Sequence, residues 1–135
     1  RMNYLLDTNI CVLLIRQKSP QVLAKLTSYP ITDIGISAIT VAELQYGVQK
    51  SSRPPQNQHA LDQFLLPLTI IPFDEQDAVA YGQIRAYLEA QGLPIGALDT
   101  LIAAQAVQYN LVLVTNNIRE FARVPGLVVK DWSKP

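Results

Sequence analysis

The sequence predicts an α/β fold, a doubly wound parallel sheet covered by helices on both faces. Three observations carry this. Short apolar runs alternate with helix-length stretches along the whole chain, and such alternation builds parallel sheets through crossover helices. The run Leu111–Val114 is continuously apolar, as a strand buried on both faces must be. Polar, turn-forming residues stand directly after two of the runs, at Asp7-Thr8-Asn9 and Thr115-Asn116-Asn117. In an open parallel sheet, ligands gather beyond the carboxyl ends of the strands, where such residues sit.

The elements follow in order. Tyr4–Leu6 reads as a buried strand that stops at the cap- and turn-favouring Asp7-Thr8-Asn9, and a helix from about Ile10 to Arg16 follows. Ser19 supplies an N-cap and Pro20 a first helical residue, opening a helix to Ser28 that Tyr29-Pro30 ends. Ile34 and Ile36 alternate within Asp33–Ser37, the period of a second strand. Ser37 or Thr40 starts a helix through Glu43 toward Lys50. Residues 51–58 are the linker-like patch, expected to cap a helix running to Leu66. Leu68–Pro72 is a third strand, and its prolines place it at an edge. Asp74 caps a long helix that Gly92 stops. A tight connection, Leu93–Gly96, leads into a helix from Ala97 to Tyr109 with Asn110 as its stop. Leu111–Val114 and Leu127–Val129 are the last strands, before a polar tail holding Trp132. Gly92, Gly96 and Gly126 read as turn glycines rather than a phosphate loop.

With 135 residues, the chain has the size of one domain, read here as residues 2–135; Arg1 ahead of Met2 reads as a remnant rather than a native start. The composition is 49% hydrophobic and 16% charged, enough apolar surface to exclude intrinsic disorder. No run approaches the roughly 18–20 apolar residues of a spanning helix. A single cysteine permits no internal disulfide and points to a reducing compartment, the cytoplasm. One cysteine and one histidine cannot build a zinc site. Net charge is zero, with no polybasic arm for binding nucleic acid through charge alone.

Three acids stand out. Asp7 follows the first strand, where it is either a helix cap worth about 1 kcal/mol or a site carboxylate. Asp99 lies inside a helix apolar almost all round, Ala97–Tyr109, sharing a face with Ile102, Ala103 and Ala106. A first-turn acid gains under about 1 kcal/mol from the helix dipole, whereas an acid buried there must be paired, protonated or metal-bound. Glu43, in the helix after the second strand, would by itself be an ordinary surface glutamate. Together the three are acids at element starts that a doubly wound sheet can bring to one edge. Carboxylates held close need a compensating cation, and an all-oxygen set suits Mg²⁺ or Mn²⁺, ions that serve phosphate chemistry. Arg85 is either a helix-surface charge with Glu89 four residues on or a phosphate-facing group beside the acids. His59 reads as exposed and Cys11 as a buried small hydrophobe; Ser37 and Thr115 have no histidine near them to serve as base.

At these residues the chain resembles the PIN-domain ribonucleases, and among them the VapC toxins of bacterial toxin–antitoxin pairs. The resemblance is carried by Leu5-Leu6-Asp7-Thr8-Asn9-Ile10, by Ile36-Ser37 through Val41-Ala42-Glu43-Leu44 with Tyr46-Gly47, and by Pro94–Asp99 running into Ile102-Ala103-Ala104. Val114-Thr115-Asn116-Asn117, Glu120-Phe121 and Asp131-Trp132 complete it. It implies strand order 3-2-1-4-5, Mg²⁺-dependent endonucleolytic cleavage of RNA with Mn²⁺ as a substitute, transfer RNA as a substrate class, and neutralisation by a cognate antitoxin. The family's acids fall on Asp7, Glu43 and Asp99. Asp7 and Asp99 would bind the metal directly, and Glu43 directly or through water. Water would attack in line, leaving 5′-phosphate and 3′-hydroxyl ends. Thr8, Ser37, Thr115, Asn116 and Asn117 would orient carboxylates and water. A fourth acid frequent in the family is replaced by Asn116 or Asn117, which weakens a second metal position. Glu120 either substitutes in part or pairs with Arg119 or Arg123.

Partners follow from the surplus of apolar positions in residues 10–28 and 37–50, more than one buried stripe needs. They predict a groove for an amphipathic antitoxin segment, or a self-association surface, and a homodimer is expected. An antitoxin Arg or Lys inserted at the acids would compete with the metal. Two other readings remain: a PIN-like module that binds RNA or protein without cleaving, and a receiver-like signalling domain. The latter expects an acidic pair after the first strand, absent here, and a lysine after the last, where Lys130 stands.

Overall fold

A computed structural model describes residues 2–135 of the chain; the reading of Arg1 lies outside the described residues. The elements run β1 (Tyr4–Leu6), α1 (Thr8–Ile15), α2 (Pro20–Thr27), β2 (Ile34–Ser37), α3 (Ala38–Gln49), α4 (Pro54–Leu65), β3 (Thr69–Ile71), α5 (Glu75–Ala90), α6 (Ala97–Gln108), β4 (Val112–Val114), α7 (Ile118–Phe121) and β5 (Val128–Lys130). Among the described residues the five strands form one sheet in the order β3-β2-β1-β4-β5, every pair parallel. The expected fold class and strand order are those observed.

Alternation along β1 and β4 splits the core in two. Leu5 and Leu113 turn to the face covered by α5 and α6, where Ile84, Leu88, Ile102 and Phe121 pack. Leu6 and Val114 turn to the other face, with Ile10, Val22, Leu44, Val48 and Leu61 from α1 to α4. Both faces of the central strands are therefore dry, which is why their sequence reads as unbroken apolar runs. A Cβ at Gly35 in β2 would press on the flexible end of the Met2 side chain and lie 3.3 Å from the Thr69 carbonyl, so a larger residue there requires Met2 to move.

Local chemistry sets the boundaries. Ser19 caps α2 with Pro20 in its first turn. Of the two candidate starts for α3, Ser37 is the one used, its hydroxyl accepting the Ile39 N–H at 2.9 Å. Asp74 caps α5 in a reciprocal box with Asp77. Gly92 takes φ +69° and its N–H reaches back to Glu89 while that of Leu93 reaches Leu88, a Schellman ending. Gln17 and Asn110 end α1 and α6 in the same left-handed conformation.

Five details differ from the sequence expectation. Helix α1 begins at Thr8, directly after its cap. Helix α4 begins inside the linker-like patch, at Pro54, since proline suits a first turn whose N–H is unpaired in any case. A four-residue helix, α7, and a 3₁₀ turn, Ile31–Asp33, fill stretches left as loops. Strand β5 is displaced by one residue, to Val128–Lys130. The tail beyond it is docked rather than free: Trp132 is 5% exposed and packs its ring on Tyr4 and Tyr29. No helix among the described residues is long and apolar enough to cross a membrane.

Candidate active site

The carboxyl ends of β1, β2 and β4 lie side by side, and each is followed at once by a polar residue: Asp7, Ser37 at the end of β2 itself, and Thr115. The Asp7 N–H continues the ladder onto the Val114 carbonyl at 3.0 Å. Its side chain then turns to cap α1, Oδ1 accepting the Ile10 N–H at 2.9 Å. This capping holds a carboxylate that is only 4% exposed. Burial pushes the Asp7 pKa up to about 6; the Thr115 hydroxyl and the Ile10 N–H oppose the rise, and the charges of Asp99 and Glu43 add to it. The cap reading of Asp7 holds, and the same carboxylate lies near enough to Asp99 and Glu43 for their charges to act on it.

Asp99 enters from the first turn of α6. Gly96 precedes that helix without a side-chain cap, and a Cβ there would lie 3.7 Å from Asp99 Oδ2. The helix behind Asp99 is buried through Ile102, Ala103, Ala104, Gln105 and Ala106. Gln105 anchors it to the end of β3, donating to the Pro72 carbonyl at 3.0 Å and to buried Asp77 at 3.1 Å. The Asp99 carboxyl is raised above its ordinary pKa by burial, and further by Glu43 and Glu120. Glu43 comes from α3, and Thr8 Oγ1 donates to its Oε1 at 2.6 Å. Thr40, not anticipated from the sequence, lies 3.2 Å from the same Thr8 hydroxyl; its place three residues before Glu43 on one helical face was the signal available.

The remaining candidates divide. Thr115, fully buried, accepts the Asn117 N–H at 2.9 Å. Asn117 donates from Nδ2 to Glu120 Oε2 at 2.9 Å, so Glu120 is held toward Asp99 by an amide. Ser37 serves its capping bond beneath Glu43's helix. Asn116 is exposed and makes no side-chain hydrogen bond among the described residues. Arg85 is drawn along its own helix, to Glu89 at 3.1 Å and the Tyr81 hydroxyl at 2.7 Å, the surface arrangement of the two readings. His59 is exposed and Cys11 buried.

Asp7 thus lies within reach of the charges of Asp99 and Glu43, and Asp99 within reach of that of Glu43. Among the described residues no three His, Cys, Asp or Glu side chains stand in an arrangement that would by itself hold a metal ion. The donor chemistry still fits a hard divalent ion, since Mg²⁺ is commonly held by one or two carboxylates with water and phosphate completing its shell. A buried carboxylate whose pKa is raised by burial and by two neighbouring acids is one that a cation would stabilise.

The PIN-domain family model matches residues 4–127. The chain belongs to the PIN-domain family. Within it, the ribonuclease VapC2 of Rickettsia felis is 47% identical, over 98% of this chain and 100% of that protein. The tRNA(fMet)-specific endonuclease VapC of Salmonella typhimurium is 40% identical over 97% and 98%. Among solved structures, the DNA-bound VapBC of Salmonella typhimurium matches this PIN domain with a TM-score of 0.93 at 39% identity, covering 98% of this chain and 99% of that one. The promoter-bound VapBC2 of Rickettsia felis matches with a TM-score of 0.88, over 97% and 99%.

Proposed function

We propose that this PIN domain is an endoribonuclease toxin of the VapC kind, dependent on Mg²⁺ or Mn²⁺ and restrained by a cognate antitoxin. The observation that carries the catalytic reading is the convergence of Asp7, Glu43 and Asp99 from three separate elements on the carboxyl edge of the sheet. The near full-length likeness to named ribonucleases supports it, and transfer RNA is the substrate class proposed, as one relative's name specifies tRNA(fMet).

In this reading Asp7 and Asp99 would hold the divalent ion directly and Glu43 directly or through water. When bound, the ion neutralises charge on the scissile phosphate and lowers the pKa of water. The chain's own residues do the rest. The α1 cap fixes Asp7, the buried α6 fixes Asp99, and Thr8 fixes the Glu43 carboxylate, which can take a proton from the attacking water. Glu120, steadied by Asn117, adds a fourth negative charge near Asp99. Replacing Asp99 by Asn keeps shape and removes the charge. RNA cleavage by Asp99→Asn should fall at least a hundredfold in Mg²⁺ or Mn²⁺, and chelator should abolish cleavage by the parent; variant activity near that of the parent would sink the assignment.

The antitoxin reading rests on the surface next to the acids. An apolar groove of about 220 Å³ opens between α1, α3 and α4, lined by Val12, Ile15, Leu44, Val48 and Leu61 and beginning at Thr8 and Glu43. Titratable and apolar surface are continuous there. A helical segment lying in the groove would bring its end to the carboxylates, where an Arg or Lys could replace the metal's charge.

A further inference from the structure

A second concavity lies away from the apolar groove, between α2 and the chain beyond β5. It encloses about 830 Å³, within the range of small-molecule and nucleotide sites. Its aromatic wall is a cluster of three rings. Tyr29 stacks on Trp132 at 5.6 Å and 17°, and Tyr4 meets Tyr29 at 4.7 Å and Trp132 at 5.2 Å. Three exposed lysines surround it: Lys25 from α2, Lys130 from the end of β5, and Lys134 from the tail. Lys25 Nζ stands 5.8 Å from the Tyr29 ring centre. The lining acid is Asp131, and its carboxylate is turned to the Ser133 N–H and hydroxyl. The concavity therefore presents aromatic surface and a surplus of positive charge in a chain whose net charge is zero.

Its position matters as much as its chemistry. The Lys130 carbonyl accepts the Thr115 N–H at 2.9 Å, and the Thr115 side chain faces Asp7. Tyr4 opens β1 and Asp7 follows its last residue, so the rings lie at the amino end of the strand whose carboxyl end carries the acid, about 10 Å along the sheet. An anionic strand cannot be held by the crevice alone, where carboxylates repel its phosphates until a cation is present. Single-stranded nucleic acid is retained by aromatic faces for its bases and lysines for its backbone.

We infer that the Tyr4–Tyr29–Trp132 cavity with Lys25, Lys130 and Lys134 is a second contact for the RNA substrate, taking a single-stranded segment a few nucleotides away from the cleavage site. The inference rests on the ribonuclease reading above. The half-buried rings of Tyr4 and Tyr29, backed by the buried Trp132, receive a base, and the lysines neutralise the adjoining phosphates without contributing to bond cleavage.

Binding in chelator separates this contact from catalysis. A fluorescein-labelled single-stranded oligoribonucleotide of about twelve nucleotides is titrated with the whole chain and with Lys25→Ala/Lys134→Ala. The double variant should bind about tenfold more weakly, and the slope of log affinity against log salt should shrink by about 1.4, two phosphates at ~0.7 each. The Lys25→Arg/Lys134→Arg variant should restore both. Trp132, the single tryptophan, should change its emission with the same midpoint as the label. Unchanged affinity and slope in the alanine variant, with cleavage by the parent still Asp99-dependent, would overturn the second contact and leave the ribonuclease reading standing. Absence of both binding and cleavage by the parent chain would overturn the two together. Loss of antitoxin binding in place of RNA binding would also overturn the inference, assigning the cavity to a protein partner.

Discussion

Asp7 performs two tasks whose costs oppose each other. As a cap it fixes the start of α1, worth about 1 kcal/mol. As a buried anion between Asp99 and Glu43 it is destabilising. Its pKa rises from the ordinary 3.8 to about 6 in the folded chain, so the folded state binds the proton more tightly than the unfolded state does. Stability from this group is complete below the unfolded value and is lost as pH climbs through the folded one. Over two pH units the loss is about 3 kcal/mol. Asp7→Asn keeps an oxygen for the Ile10 N–H and removes the charge. In metal-free buffer it should match the parent near pH 4 and exceed it by up to about 3 kcal/mol at pH 8, read from melting at the two pH values. A variant less stable than the parent at pH 8 would contradict the buried-anion account. At this scale the sequence pointed to Asp7 and Asp99 because an acid that follows a buried strand, or stands within an apolar helix, loses solvent on folding and needs a partner. The Asn117–Glu120 bond was not legible: it depends on the turn after β4, while Arg119 and Arg123 nearby offered equally plausible partners.

Among the elements, the long helices were readable from caps and stops, and the short ones were not. Helix α7 spans four residues, barely one turn, so no helical period can show in its sequence. The displacement of β5 has a similar cause, since its exposed edge residues carry little alternation. The end of α1 shows the opposite case, a motif present with the wrong residue. Gln17 adopts φ 54° and closes a Schellman turn onto Leu13 and Leu14, a place where glycine avoids the Cβ clash. Relief of about 1–2 kcal/mol, less the backbone entropy glycine adds to the unfolded chain, leaves a net gain. Gln17→Gly should stabilise the protein by about 0.5–1 kcal/mol, measured by urea unfolding, with cleavage unchanged. Destabilisation would show that Gln17 makes a contribution its exposed side chain does not reveal.

The whole molecule is a sheet that brings charge to one edge and leaves apolar surface beside it. The sequence disclosed the fold class through its alternation of elements, whereas strand order came through the family likeness, because parallel neighbours need not be consecutive in the chain. Trp132 had no local pattern to announce that it docks on Tyr4 and Tyr29; only the folded arrangement brings those rings together. The groove between α1, α3 and α4 was signalled by helices with more apolar positions than one face can bury, and Gly47 gives a clean way to test its use. Gly47 lies one turn beyond Glu43 and lines the groove, and a Cβ built there meets nothing within 4 Å. A larger side chain can therefore fill the groove without disturbing the core, and glycine inside a helix costs about 1 kcal/mol relative to better helix formers. Gly47→Leu should be at least as stable as the parent and should cleave RNA at the parental rate, but bind its antitoxin at least tenfold more weakly. Titration calorimetry of the purified pair, with cleavage measured at increasing antitoxin, reads both effects. If the antitoxin neutralises Gly47→Leu as well as it does the parent, the helical segment docks elsewhere, and the continuity of groove and carboxylates is not how this toxin is restrained.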